Sequence, residues 1–209
     1  MFGNLYERAL VGERCWIRHR DGSVQRLPVH NWLGGRRSDR RFDRAVLARC
    51  DGPTIDLGCG PGRLVADLTR RGVPALGVDQ SATAVALARH SGAPALCRDV
   101  FDALPGTGRW HRVLLADGNI GLGGDPLHIL RRASQLLRRG GVCLAEFDSA
   151  PIGIRYQWLQ LESEHAVGPW FKWAAVGIDA AERVALEAGL AISTVHPIGD
   201  RTLASLVLT

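Results

Sequence analysis

From Pro53 onward the chain alternates between two hydrophobic periods. "TIDLG" (54–58) is a short apolar run behind a Gly52-Pro53 turn. The "RLVADLTRRG" that follows places Leu64, Val65 and Leu68 on one helical face and ends at Gly72, a residue suited to a helix C-terminus. "PALGVD" (74–79), "ALCRDV" (95–100), "WHRVLLAD" (110–117) and "VCLAEFD" (142–148) are four further extended runs. Between them, "SATAVALARHSG" opens at Ser81 and "PLHILRRASQLLRRGG" closes at Gly140 and Gly141, both with helical spacing. Strands alternating with helices predict a parallel sheet covered on both faces. A last helix, "DAAERVALEAGL", and two strands, "AISTVHPI" and "TLASLVLT", predict an antiparallel pair that completes the sheet. The expected fold is doubly wound α/β with a mostly parallel, seven-stranded sheet.

Two pieces lie outside this alternation. "CWIRHRDGSVQRLPV" (15–29) sets two extended runs around Asp21-Gly22, a strong two-residue hairpin signal, and leads into "HNWLGG" (30–35) and a short helix over 39–50. After the fifth strand, "IRYQWLQLE" (154–162) and "PWFKWAAV" (169–176) predict a second, aromatic hairpin with Tyr156 and Trp158 on one face. At 209 residues and 46% hydrophobic content the chain is long enough for one well-buried domain. Residues 1–50 would then be a hairpin-and-helix cover, 51–148 a ligand-binding core, and 149–209 the aromatic hairpin with the sheet-closing part.

No apolar run approaches the roughly 18 residues that span a bilayer, and the opening "MFGNLYERALVGER" carries charges where a signal peptide is apolar, so a cytoplasmic protein is expected. The five cysteines include no C-x-x-C pair, which argues against a disulfide framework or a zinc cluster and for reduced, mostly buried thiols. The net charge of +5 is concentrated at the start: residues 1–50 hold 11 Arg against 5 acids, and the remainder is close to neutral. Such a segment can attract phosphate, but no basic run reaches five residues, so solvated faces are the simpler reading and nucleic acid is not the expected partner.

"TIDLGCGPGR" (54–63) carries the chemistry. Glycines at 58, 60 and 62 let the backbone approach a ligand closely and leave amides free at a helix start, in the first strand-to-helix turn of an α/β sheet. The spacing is G-x-G-x-G, not the G-x-G-x-x-G of dinucleotide sites, and Asp56 just before it would repel a pyrophosphate. "DLGCGPG" resembles motif I of the class I S-adenosylmethionine-dependent methyltransferases, and the resemblance extends over roughly 53–148. It implies S-adenosylmethionine as cofactor, with Asp56, Gly58, Gly60 and Gly62 forming its loop. By the same resemblance Asp79 and Gln80 would meet the ribose, Asp99 and Val100 the adenine, and Asp117 and Gly118 the methionine part. The "LRRGG" turn resembles the family's usual "LKPGG".

Where nucleic-acid methyltransferases carry Asn/Asp-Pro-Pro-Tyr/Phe or Pro-Cys, and protein arginine methyltransferases a glutamate pair, this chain has "DGNIGLGGDP". A small-molecule acceptor is therefore expected, with an oxygen of a sugar or specialised metabolite as the first choice. Methyl transfer from a sulfonium needs alignment and exclusion of water, and a base only where the nucleophile must lose a proton. His30, Asn119 and Asp148 are the candidate catalytic residues, and His165 is a further possible base. Asp117, Asn119 and Asp148 also make an oxygen set of the kind Mg²⁺ uses, but the match to metal-assisted members is poor and no metal is expected. The acceptor pocket is expected from "HNWLGG", "GNIGLGG" and the aromatic hairpin, with Trp32, Tyr156, Trp158, Trp170 and Trp173 as walls. An RNA methyltransferase using the arginine-rich start, a non-catalytic cofactor-binding regulator and a nicotinamide-dependent oxidoreductase are the competing readings. The acceptor's identity and the oligomeric state, a homodimer included, stay open.

Overall fold

The computed structural model describes residues 3–34 and 37–209. Its main sheet has seven strands: β3 (Thr54–Leu57), β4 (Ala75–Asp79), β5 (Ala95–Cys97), β6 (Trp110–Leu115), β7 (Leu137–Asp148), β10 (Leu190–Ile198) and β11 (Arg201–Leu208). Their spatial order is β10-β11-β7-β6-β3-β4-β5. The pairs β3–β4, β4–β5, β3–β6 and β6–β7 are parallel, and β11 runs antiparallel between β7 and β10. The chain winds outward from β3 to β5 and then returns to β6 on the other side of β3. That reversal leaves a crevice at the carboxyl ends of β3 and β6, where open α/β sheets bind ligands.

Both faces of the sheet are buried, so strand residues alternate between two cores. Val113 and Leu115 join Ile55, Leu57 and Phe147 under α6 (Pro126–Leu136) and α7 (Ala181–Glu187), which supply Ile129, Leu130 and Val184. Leu114 and Leu144 face the other way, against Leu64 and Leu68 of α4 (Arg63–Arg70) and Phe42 and Val46 of α3 (Arg37–Leu47). Local chemistry fixes the helix starts: the Ser81 hydroxyl accepts from Ala84 N at the head of α5 (Ala82–His90), and Asp125 does the same for His128 N before Pro126. The strand after α6 begins earlier than the periodicity predicts, since α6 ends at Leu136 and β7 already includes Leu137. Leu137 is buried and extended opposite Trp110, so sheet pairing overrides a helical pattern that Leu136, Arg138 and Arg139 would have continued.

A second, antiparallel sheet has the order β2-β1-β8-β9, from β1 (Cys15–His19), β2 (Val24–Arg26), β8 (Ile154–Ser163) and β9 (Val167–Val176). The N-terminal and post-β7 segments, separate in the sequence, are one sheet because β1 pairs with β8, with Ile17 opposite Leu161. Helix α1 (Gly3–Leu10) lies on its inner face, where Leu5 and Ala9 pack with Cys15, Leu27, Leu159, Leu161 and Phe171. The sequence pattern did not announce α1. Eight residues are too few for a stable isolated helix, so its existence depends on this packing. No helix among the described residues is long and apolar enough to cross a membrane.

Candidate active site

The glycine loop after β3 hangs on the end of β4. Gly58 N and Cys59 N both donate to the Val78 carbonyl, at 2.8 and 3.1 Å, and Gly60 N donates to Asp79 Oδ2 at 2.9 Å. Asp79 Oδ1 accepts from Ser81 N at 2.9 Å, so each oxygen takes one amide and keeps lone pairs for a ligand's hydroxyls. Gly58, Gly60 and Gly62 have φ of 76°, 53° and 79°. A Cβ on Gly62 would stand 2.6 Å from Ala88 Cβ, so this glycine lets α4 and α5 approach each other. A Cβ on Gly60 would stand 3.3 Å from the Tyr6 hydroxyl, in the space between the loop and α1.

Asp56 is buried, and burial pushes its carboxyl up to about 7 against the pull of Arg63, with Asp117, Asp79 and Asp43 adding to the rise. Burial also raises the Asp79 carboxyl, opposed by its bonds from Ser81 and Gly60. A nearby cation would favour ionisation of these buried carboxyls and a pyrophosphate would oppose it, so the residues present fit the sulfonium of S-adenosylmethionine. Gln80 follows directly at the end of β4, while Asp99, which accepts from Phe101 N at 3.0 Å, and buried Val100 follow β5. The structure thus brings Asp56, the three glycines, Asp79, Gln80, Asp99 and Val100 to the carboxyl ends of three neighbouring strands.

Beyond β6 the geometry is set by a chain of ion pairs. Asp117 is the one described non-glycine residue with positive φ, at 55°. Arg63 Nη1 donates to it at 2.5 Å and also binds Asp43, at 3.0 Å through both Nε and Nη2. Arg201 Nη2 reaches Asp117 at 2.8 Å and Glu146 at 2.5 Å, and its guanidinium carbon lies 3.6 Å from the centre of the Phe42 ring. Burial alone would raise the Asp117 carboxyl; the two guanidiniums outweigh it and hold the group below its ordinary value. The carboxylate expected to meet the cofactor is therefore engaged by arginines, which leaves the 117–118 backbone to face the crevice. Arg63 stands directly after the last glycine of the motif, whereas no sequence signal joined Asp43, Glu146 and Arg201 to it.

A cavity of about 220 Å³ opens beside Gly118, walled by Ile120, Glu146, Asp148, Trp173, Asp200 and Arg201 together with the end of β9. It lies at the carboxyl ends of β6 and β7, where β11 begins opposite Asp148. Of the three expected catalytic residues, Asp148 alone lines it. Its Oδ1 accepts from Ala150 N at 3.0 Å. Asn119 points to the loop instead: its amide donates to the carbonyls of Leu57 and Gly58 at 2.9 and 2.8 Å, a positioning contact. His30 is exposed on α2 (Val29–Trp32) and does not line the cavity, and His165 is exposed in the β8–β9 turn.

The expected aromatic walls also separate. Trp173 lines the cavity, while Trp32 packs edge-on against Tyr6 with ring centres 5.7 Å apart. Tyr156, Trp158 and Trp170 are exposed on the small sheet. Their strand alternation identified a shared face but not which face would be covered. The glycine-rich segment 118–124 packs closely on β9: a Cβ on Gly121 would collide with the Ala174 carbonyl, and one on Gly124 would come within 2.6 Å of Lys172 Cβ. These glycines let β9 dock against the main sheet. Gly35, the end of the expected covering stretch, lies outside the described residues.

Helix α1 supplies residues that sequence reasoning missed. Tyr6 stands over Gly60, and burial, then the charge of Asp79, raises its phenol well above the ordinary value. Glu7 accepts from the Ser81 hydroxyl at 2.9 Å and from Thr83 N at 3.4 Å, which ties α1 to the head of α5 beside Asp79.

This arrangement defines a class of protein before any comparison. The comparisons agree: residues 55–141 match the family model described as a methyltransferase domain. That stretch carries the glycine loop and runs from β3 into β7, and the solved structures below share the fold of the chain. Among solved structures it is similar to a methyltransferase from Bacteroides fragilis in complex with S-adenosylhomocysteine, at 18% identity and a TM-score of 0.81, covering 100% of this chain and 94% of that one. It is also similar to the 1,6-didemethyltoxoflavin-N1-methyltransferase of Burkholderia thailandensis (16% identity, TM-score 0.64, 85% of this chain and 80% of that one). A third is an amino pentose methyltransferase of calicheamicin biosynthesis from Micromonospora echinaspora (18% identity, TM-score 0.61, 87% and 95%). No curated protein matches the chain in sequence.

Proposed function

We propose that this chain transfers a methyl group from S-adenosylmethionine to a small-molecule acceptor seated in the cavity beside Gly118. The observation that carries the reading is the position of that cavity. It adjoins the carboxyl ends of β6 and β7, next to the glycine loop and joined to it through Arg63, Asp117 and Arg201. When bound, the cofactor supplies an electrophilic methyl group. Asp79 takes the ribose hydroxyls, Gln80, Asp99 and Val100 border the adenine side, the 117–118 backbone meets the methionine part, and the buried Asp56 carboxyl lies beneath the glycine loop. Tyr6 and Trp32 close the glycine loop from above and exclude water, and Ile120 and Trp173 give the acceptor apolar walls.

The three parts act as one domain in this reading: 51–148 hold the cofactor, while 1–50 and 149–209 share the small sheet that roofs the acceptor side. A cytoplasmic setting, where thiols stay reduced, fits the five free cysteines. Two of the solved structures this chain resembles are named for small acceptors, 1,6-didemethyltoxoflavin and an amino pentose. An oxygen acceptor, the first expectation from the sequence, would take its base from the cavity carboxylates, Asp148 among them, since His30 and His165 do not line the cavity.

Calorimetry with S-adenosylhomocysteine and with NAD tests the reading. Binding of the first alone is expected, and Asp79→Ala should lower that affinity by about 1.5 to 3 kcal/mol, the range for hydrogen bonds to a charged group. Binding of NAD in place of S-adenosylhomocysteine would remove the reading.

A further inference from the structure

The wall of the acceptor cavity has a sign. Its charged side chains are Glu146, Asp148, Asp200 and Arg201. Arg201 is committed: its Nε and Nη2 bind Glu146 at 2.6 and 2.5 Å, and Nη2 also binds Asp117 at 2.8 Å. Arg63, the next cation inward, is likewise held between Asp117 and Asp43. Asp148 and Asp200 have no ion-pair partner among the described residues. On the cavity wall three carboxylates therefore stand against one guanidinium, a net charge of −2. The existence of the site rests on the cavity and its place in the fold, and the carboxylates bear only on the charge of what enters it.

We infer that the acceptor is a small amine that enters as its ammonium ion, held between Asp148 and Asp200 with its apolar part against Ile120 and Trp173. This rests on the methyltransferase reading above and specifies its substrate class. An anionic acceptor would meet two unpaired carboxylates and no uncommitted cation. A hydroxyl acceptor gains nothing from the field and would have to develop oxyanion character inside it, which nearby negative charge opposes. A cation is drawn in, and the same field offsets the repulsion between an ammonium and a sulfonium a few ångströms away. Asp148, exposed at the end of β7, then takes the ammonium proton and passes it to solvent. The freed nitrogen lone pair forms the N–C bond, and the S–C bonding pair stays on sulfur. The products are a methylammonium ion, a neutral thioether and the one proton released, so the charge balances.

The test uses isosteric probes on the full chain saturated with S-adenosylhomocysteine: benzylamine, benzyl alcohol and benzoate, titrated by calorimetry. Benzylamine is expected to bind at least about tenfold more tightly than either partner, from the added ion pairs. Asp148→Asn with Asp200→Asn is expected to abolish that preference while S-adenosylhomocysteine affinity stays within about twofold. Asparagine keeps the Asp148 acceptor to Ala150 N, and the wild-type comparison of the three probes stands even if the double variant folds poorly. Equal affinities, a preference for benzoate or benzyl alcohol, or no benzylamine binding at about 10 mM would each overturn the inference. Failure of S-adenosylhomocysteine to bind at all would instead strike the methyltransferase reading, so the two failures are distinguishable.

Discussion

Helix α4 is bracketed by two glycines that a single substitution can compare. Gly62 precedes it with φ of 79°, and Gly72 follows it with φ of 74°. An alanine at either position enters the left-handed region at about 1–2 kcal/mol, with about 0.4–1 kcal/mol returned through the stiffer unfolded chain. The two sites differ only in what the new methyl meets. At Gly72 nothing lies within 4 Å, whereas at Gly62 the methyl stands 2.6 Å from Ala88 Cβ, 3.0 Å from Ala93 Cβ and 3.1 Å from Ala88 Cα. Those neighbours belong to or follow α5 and are short, so no flexible side chain can yield; α4 and α5 must separate. Overpacking of this kind adds about 1–3 kcal/mol. Gly72→Ala should therefore cost about 1 kcal/mol, and Gly62→Ala about 2–4 kcal/mol. For a chain of this size that means shifts in Tm of about 2–4 °C and 4–16 °C. Urea and thermal unfolding of the purified variants without cofactor measure both. Equal losses would show that the third glycine of the motif is needed only for its backbone angle, and the packing account would be wrong.

The buried ion-pair chain gives a second expectation. Arg201→Met should destabilise by about 3–5 kcal/mol in urea unfolding, because it leaves Glu146 and Asp117 facing each other without their shared cation; a loss under about 1 kcal/mol would mean that water replaces the guanidinium. Asp56 gives a pH signature. Its folded carboxyl is pushed up to about 7 from an ordinary 3.8, so the folded chain holds this proton more tightly than the unfolded chain and stability falls as pH rises across that window. Asp56→Asn should remove on the order of 2–4 kcal/mol of that fall and stabilise the cofactor-free protein above pH 7, seen as a flatter plot of unfolding free energy against pH. Identical slopes for the two proteins would show that Asp56 titrates normally.

The sequence by itself determined the parts of this protein in which one residue's chemistry dictates one local outcome. Alternating periods specified the strands and helices of the main sheet, because a strand buried on both faces must read apolar throughout and a helix must show one apolar stripe. Glycines spaced by two behind an aspartate specified a tight left-handed turn after β3, because three such positions in five residues admit little else. Asp79 at the end of the next strand followed from the same order.

Tertiary structure alone decided what depends on pairs far apart in the chain. The union of β1 with β8 into one sheet, the helix α1 over Gly60, and the engagement of Asp117 by Arg63 and Arg201 all join segments whose local patterns carry no mark of each other. The same holds for the candidate catalytic residues. Asp148 and His30 were equally plausible bases by type, and only the folding of β11 and β9 around the end of β7 put Asp148 in the cavity and left His30 outside. A short glycine-rich segment reads as a loop in sequence, and only the carbonyl of Ala174 pressed against Gly121 shows that its glycines make room for a neighbouring strand. Local propensity is a property of neighbours along the chain, whereas charge compensation and steric exclusion are properties of neighbours in space.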